Sequence, residues 1–171
     1  QKALVTRDGD NMISILNIEG DKVEVAKRDV HAGLRPYGIS MSNDGRFAAV
    51  ANIGRGQGDA DTVSLIDLTK EPYRVVDTVT VGQTPEGIQV SPDNKYVAVT
   101  VLNGSNKQKN SPFYNESGRL VLLAVGKDLK LSKASEIKIG GWSQGIAFSR
   151  NSRTVLVQNM VEKELQILTN S

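Results

Sequence analysis

The chain has no cysteine, which removes disulfides, thiolate metal ligands and a cysteine nucleophile together. That absence leaves the compartment open, because a reducing cytosol and a disulfide-free periplasm both permit it. Histidine occurs once, as His31, so no metal-ligand spacing of histidines exists, and no Gly-x-Ser-x-Gly nucleophile elbow is present. Apolar runs are only a few residues long, too short to span a bilayer, and no secretory signal is visible. Neither sign of charge prevails: 21 basic against 19 acidic side chains leave +2. Nothing in that balance asks for nucleic acid or an anionic membrane as partner. Aromatic residues are scarce, at 5%.

What the 171 residues do contain is glycine, 16 of them, among apolar residues dominated by valine, isoleucine and leucine. Short β-branched runs cut by polar clusters predict an all-β chain. Three stretches, 36–52, 85–101 and 143–159, align without a gap. Each carries glycine at the third position (Gly38, Gly87, Gly145) and serine four residues later (Ser42, Ser91, Ser149). A weaker copy begins near residue 3, with Arg7 falling where Asn52 and Asn159 fall. Repetition at this spacing is the mark of stacked supersecondary units.

Each unit reads as four strands, here lettered a to d. Strand a is Gly-Ile-x-x-Ser, and a tight turn such as Asn43-Asp44-Gly45 or Pro92-Asp93-Asn94 leads to an apolar strand b. Strand c is expected over 63–68, 120–125 and 165–168, and strand d over 23–30, 75–81 and 134–139, closing on Gly33, Gly82 or Gly140. Val97-Ala-Val-Thr-Val101 is apolar on both faces and needs cover on both sides. Radial stacking of four-stranded antiparallel blades supplies that cover, which predicts a β-propeller. The count is b-c-d, a-b-c-d, a-b-c-d, a-b-c: fourteen strands, or about three and a half blades, in units 1–33, 34–82, 83–140 and 141–171. The chain opens on Gln1 rather than methionine, directly into a strand pattern. An open array leaves edges unpaired at both ends. A longer parent chain with three or four further repeats of ~40–45 residues is therefore expected, as against a self-assembling short protein.

Gly-Ile-x-x-Ser-x-Asp-Gly, a valine-rich strand ending in asparagine, and Asp-Thr-x-x-Ser-x-x-Asp resemble the YVTN repeat of bacterial and archaeal β-propellers. Residues 60–68 and 79–93 carry the nearest likeness, and it extends over nearly the whole chain. The resemblance implies a partial ring of a propeller that closes with about seven blades. It also implies a periplasmic or secreted location and kinship with lactonase-like hydrolases. Fold alone licenses neither activity nor its absence.

In such an architecture strand a lines the central channel, and the d-to-a and b-to-c connections share one face. The long, variable connections are all of that kind, which marks the functional face. Aligned positions in the d-to-a connections hold Arg35, Thr84 and Trp142, then Tyr37, Glu86 and Gln144. Arg35, Tyr37, Glu86, Trp142 and Gln144 are therefore the expected channel-mouth rim, where they would bind a small ligand or a protein partner. Ordinary loop variation, with Trp142 filling a gap between blades, is the alternative. The 52–61 loop lacks the helix and lysine of a phosphate-binding loop. Asp8, Asp10, Asp59 and Asp61 have oxygens suited to Ca²⁺ but match no full loop pattern, and read rather as turn formers. The 103–118 loop is too long for a hairpin, and Phe113 and Tyr114 are expected to tie it to neighbouring surface over the same face. His31 is placed at the end of an outer strand, far from the channel, and serines 42, 91 and 149 serve the turn. No catalytic residue, metal or cofactor is assigned. The leading function is a non-enzymatic, extracytoplasmic binding scaffold; a lactonase-like hydrolase with its site at the channel mouth is the alternative.

Overall fold

The computed structural model describes residues 1–169, so the last two residues of the 141–171 unit lie outside it. Among the described residues there are fifteen strands and no helix, and every strand pairing is antiparallel. The first sheet comprises β1 (Lys2–Arg7), β2 (Met12–Glu19), β3 (Lys22–Val25) and β4 (Val30–His31), with β2 between β1 and the other two. The second runs in order β5 (Pro36–Met41), β6 (Phe47–Asn52), β7 (Asp61–Asp67), β8 (Arg74–Gly82). The third is β9 (Pro85–Val90), β10 (Tyr96–Val101), β11 (Arg119–Val125), β12 (Leu131–Lys138). The fourth has three strands, β13 (Ser143–Phe148), β14 (Thr154–Asn159) and β15 (Glu164–Thr169).

One strand more is present than the repeat predicts, because the outer strand expected over 23–30 is broken into β3 and β4. Ala26 still donates to the Ile15 carbonyl at 2.8 Å, but Asp29 is drawn to the Arg7 guanidinium at 2.7 Å. The ladder resumes at Val30, opposite Ile13.

The turn between strands a and b is built identically three times. The hydroxyls of Ser42, Ser91 and Ser149 donate to Asp44, Asp93 and Asn151 at 2.6–2.7 Å. The same oxygens accept from the backbone N–H of Phe47, Tyr96 and Thr154. Gly45, Asn94 and Ser152 take the left-handed conformation that closes the turn. The serines recur as turn residues.

Apolar side chains of adjacent sheets meet in three cores. Ile13, Ile15, Val50 and Ile66 join the first sheet to the second. Val63, Leu65, Val97, Val99 and Val121 join the second to the third, and Leu120, Val155 and Val157 join the third to the fourth. Full burial of one such side chain contributes about 1.5–3 kcal/mol. Small residues on strand b, Ala48, Ala49 and Ala98, are fully buried and let the sheets approach. On the free face of the fourth sheet, Leu165 and Ile167 stand at the register of Val63 and Leu65. They are 59% and 63% exposed, where Val63 and Leu65 are 0% exposed.

Candidate functional site

Strands β5, β9 and β13 are the inner strands of successive sheets and lie side by side. Each carries the same β-bulge. Pro36 pairs with Asn52 and Ile39 with Val50, so Tyr37 and Gly38 together oppose Ala51. In the same way Glu86 and Gly87 oppose Thr100, and Gln144 and Gly145 oppose Gln158. Two residues against one break the in-out alternation and re-aim the side chain of the first. Tyr37, Glu86 and Gln144 are thus the second residues of inner strands, not loop residues as the alignment suggests. Proline or serine at the preceding position already pairs with strand b.

The glycine following each of them is required by close approach. A Cβ on Gly38 would lie 2.2 Å from the Glu86 carbonyl oxygen, and one on Gly87 2.0 Å from that of Gln144. Backbone of one bulge therefore rests on the glycine of the bulge before it. This brings Tyr37, Glu86 and Gln144 into one row across three sheets, and the Gln144 side-chain amide donates to the Glu86 carboxylate. Tyr37 is 51% exposed, and its carbonyl accepts from the Thr6 hydroxyl at 2.8 Å.

Immediately upstream, Arg35, Thr84 and Trp142 all take positive φ, at 54°, 57° and 48°. This conformation is uncommon for any residue with a side chain, and most so for β-branched Thr84. A repeated clamp holds it. The backbone N–H of Arg35, Thr84 and Trp142 donates to Asn11 Oδ1, Asp61 Oδ2 and Ser105 Oγ respectively, at 2.8 Å each. Each acceptor comes from the b-to-c connection of the preceding sheet or its end. Three different residue types do one task, at positions that no alignment pairs, which is why sequence reasoning missed Asn11, Asp61 and Ser105.

Arg35 and Trp142 project away from the row in different directions. The Arg35 guanidinium pairs with Asp8 at 2.9 Å, both side chains nearly half exposed; exposed pairs of this kind contribute about 0–1 kcal/mol. Trp142 is 39% exposed. Glu86 and Gln144 are thus joined directly, Tyr37 is their neighbour through the Gly38 contact, and Arg35 and Trp142 flank them on the connections. Asp61 is buried, and burial, with the Asp59 charge adding to it, pushes its carboxyl above the usual carboxylate range against the pull of the Thr84 N–H.

The 103–118 loop reaches across to the 52–61 loop. Lys107 Nζ donates to the Gly56 carbonyl at 2.8 Å, and the Phe113 ring lies where a Cβ on Gly58 would stand. Phe113 thus ties the loop down as expected, with Lys107 as the second tie in place of Tyr114. His31 pairs opposite Met12 on β4, and its ring Nδ1 lies 2.9 Å from the Ala32 carbonyl.

Radially stacked antiparallel sheets with inner strands abutting and both end faces open make this a partial β-propeller. No family model matches the chain, and no curated protein sequence matches it. Solved structures do. A proposed 6-phosphogluconolactonase from Bacteroides uniformis superposes with a TM-score of 0.77 at 17% identity, over 98% of this chain and 47% of that one. Hydrazine synthase of Kuenenia stuttgartiensis gives 0.76 at 19%, over 98% and 49%. The periplasmic gluconolactonase of Pseudomonas aeruginosa gives 0.64 at 18%, over 98% and 49%. The chain spans about half the length of the structures it matches, and the likeness is one of fold.

Proposed function

We propose that this chain is part of a YVTN-type, extracytoplasmic propeller scaffold that binds a small ligand or peptide at the channel mouth, with repeat units 1–33, 34–82, 83–140 and 141–171. The observation that carries this is the repeated bulge. One backbone device, built three times, presents three chemically different side chains, Tyr37, Glu86 and Gln144, at the same height. A scaffold that needed only stability has no use for that variety. A phenol, a carboxylate and an amide around a concave mouth, flanked by Arg35 and Trp142, are the composition of a recognition surface. The exposed Leu165 and Ile167 support a further repeat packing on the fourth sheet as Val63 and Leu65 are packed. Among the described residues no helix is long and apolar enough to cross a membrane. The periplasmic neighbour supports an extracytoplasmic location, which cell fractionation tests.

Screening ligands by calorimetry against the wild type, Glu86→Ala and Gln144→Ala is the direct test. Binding should be lost in both variants while the melting temperature changes little, since both side chains are only half-buried. Unfolding of either variant would make the pair structural and end this reading.

A second reading, a lactonase-like hydrolase, is favoured by the gluconolactonase names among the structural neighbours. Here Glu86 would contribute a carboxylate, and further repeats would contribute the rest of the site. Acid release from D-glucono-1,5-lactone, compared between wild type and Glu86→Gln, separates the two readings.

A further inference from the structure

Buried polar groups are nearly always paired, so an orphan calls for a partner. In the layer between the second and third sheets on the loop face, three orphans occur close together in the chain path. Gln83 Nε2, Thr84 Oγ1 and Asn106 Oδ1 are buried and have no hydrogen-bond partner. Gln83 and Thr84 are 9% and 6% exposed. Their backbone is stitched to the start of the 103–118 loop: Asn103 N–H donates to the Gln83 carbonyl, and Leu102 N–H to that of Thr84, both at 2.9 Å. Asn106 follows one tight turn later, closed by Ser105 N–H on the Leu102 carbonyl. On the other side, the Thr84 N–H reaches Asp61, and Lys107 reaches Gly56. At the aligned positions of the other connections stand Leu34 and Arg35, and Gly141 and Trp142. The fold therefore does not require polar side chains at 83 and 84.

We propose that the 103–118 loop covers a cryptic site for a neutral, hydroxyl-rich ligand, a sugar or other polyol, held by Gln83, Thr84 and Asn106. The orphans are an amide of one residue, an amide of another and a hydroxyl. Whichever way the two amides are turned, the set offers one group to donate and one to accept. A ligand hydroxyl does both, and vicinal hydroxyls do so at successive positions. An anion is disfavoured by Asp59 and by Asp61 against Gly54, while the Lys107 ammonium is spent on the Gly56 carbonyl. Access is by the loop lifting. Its ties to the rest of the chain that face the 52–61 loop are the Lys107 bond and the Phe113 ring on Gly58, both to a loop whose Gly54, Gly56 and Gly58 have positive φ. Side-chain ties within the loop are local, such as Asn115 to the Asn103 carbonyl.

The test is protein-observed NMR with D-glucose and D-sorbitol as probes and D-gluconate as the charged control. The expected result is saturable shifts of the Gln83 and Asn106 side-chain amides with the neutral probes. Gln83→Leu and Asn106→Leu should each weaken binding at least tenfold and raise the melting temperature, because each removes an orphan. Asn106→Leu lies in the loop and stays testable should Gln83→Leu not fold. Absence of saturation, unchanged affinity in both variants, equal response to gluconate, or ordered water alone on these groups would overturn the proposal. It stands apart from the rim reading: Glu86→Ala tests that one, and the polyol shifts of Gln83 and Asn106 test this one.

Discussion

Replacing Ser143 by alanine isolates one buried hydrogen bond that the repeat makes in some sheets and omits in others. Asn159, the last residue of strand b in the fourth sheet, is 0% exposed, and its Oδ1 accepts from the Ser143 hydroxyl at 2.6 Å. Its Nδ2 donates to Glu164 and Gln166. In the second sheet the equivalent pair is Asn52 and Pro36; proline has no hydroxyl, and Asn52 Oδ1 is left buried without a partner. In the third sheet both members are apolar, Pro85 opposite Val101. The chain thus contains the bonded pair, the half-deleted pair and the fully apolar pair in one scaffold. Ser143→Ala converts the first into the second, stranding a buried acceptor, and should cost about 1–3 kcal/mol. In an Asn159→Val background the same substitution strands nothing and should cost about 0.5 kcal/mol or less. A double-mutant cycle by urea denaturation reads the difference, with thermal midpoints moving about 2–4 °C per kcal/mol as a check. Equal costs in the two backgrounds, or no cost in the wild type, would refute the reasoning and mean that the asparagine oxygen relaxes to another donor.

Three further outcomes are expected. Because burial raises the Asp61 carboxyl, its contribution to stability is full below the ordinary carboxylate range and is lost as pH rises through the raised value; Asp61→Asn, which keeps an acceptor for Thr84, should flatten that fall in urea midpoints measured against pH, and a fall of unchanged slope would locate the titrating group elsewhere. Gly87→Ala places a Cβ 2.0 Å from the Gln144 backbone oxygen and should cost about 1–3 kcal/mol or more, whereas Gly145→Ala meets only the flexible Gln158 side chain and should cost about 1 kcal/mol or less; equal costs measured by calorimetry would dismiss the bulge-on-glycine contact. Ser91→Ala, which removes a 1%-exposed turn hydroxyl, should lose about 1–2 kcal/mol of stability and leave any ligand binding or hydrolysis unchanged; loss of activity with unchanged stability would make that serine more than a turn residue.

The strands, their order and the a-to-b turns were legible because they are local. Period-two runs such as Phe47–Asn52 and the Ser-x-Asp turn chemistry work within a few residues of chain, and three copies of them aligned. Gly33 and Gly140 were visible as markers, and the fold supplies their reason: a Cβ on either would lie 2.5 Å from the following strand b asparagine, Asn52 or Asn159. What tertiary structure alone decided is where strand pairing slips and which distant groups meet. The bulge moves Tyr37, Glu86 and Gln144 from loop to strand because Pro36, Pro85 and Ser143 already pair with strand b, and register against a partner strand is not written in either strand alone. The clamps on Arg35, Thr84 and Trp142 use Asn11, Asp61 and Ser105, residues of unlike type and unlike position, because a backbone N–H accepts any oxygen brought to 2.8 Å. The break between β3 and β4, and the seating of Phe113 on Gly58, are likewise contacts between segments far apart in the chain. Periodicity and turn chemistry are short-range and repeat with the sequence; hydrogen-bond partners across blades depend on geometry that exists only once the sheets have packed.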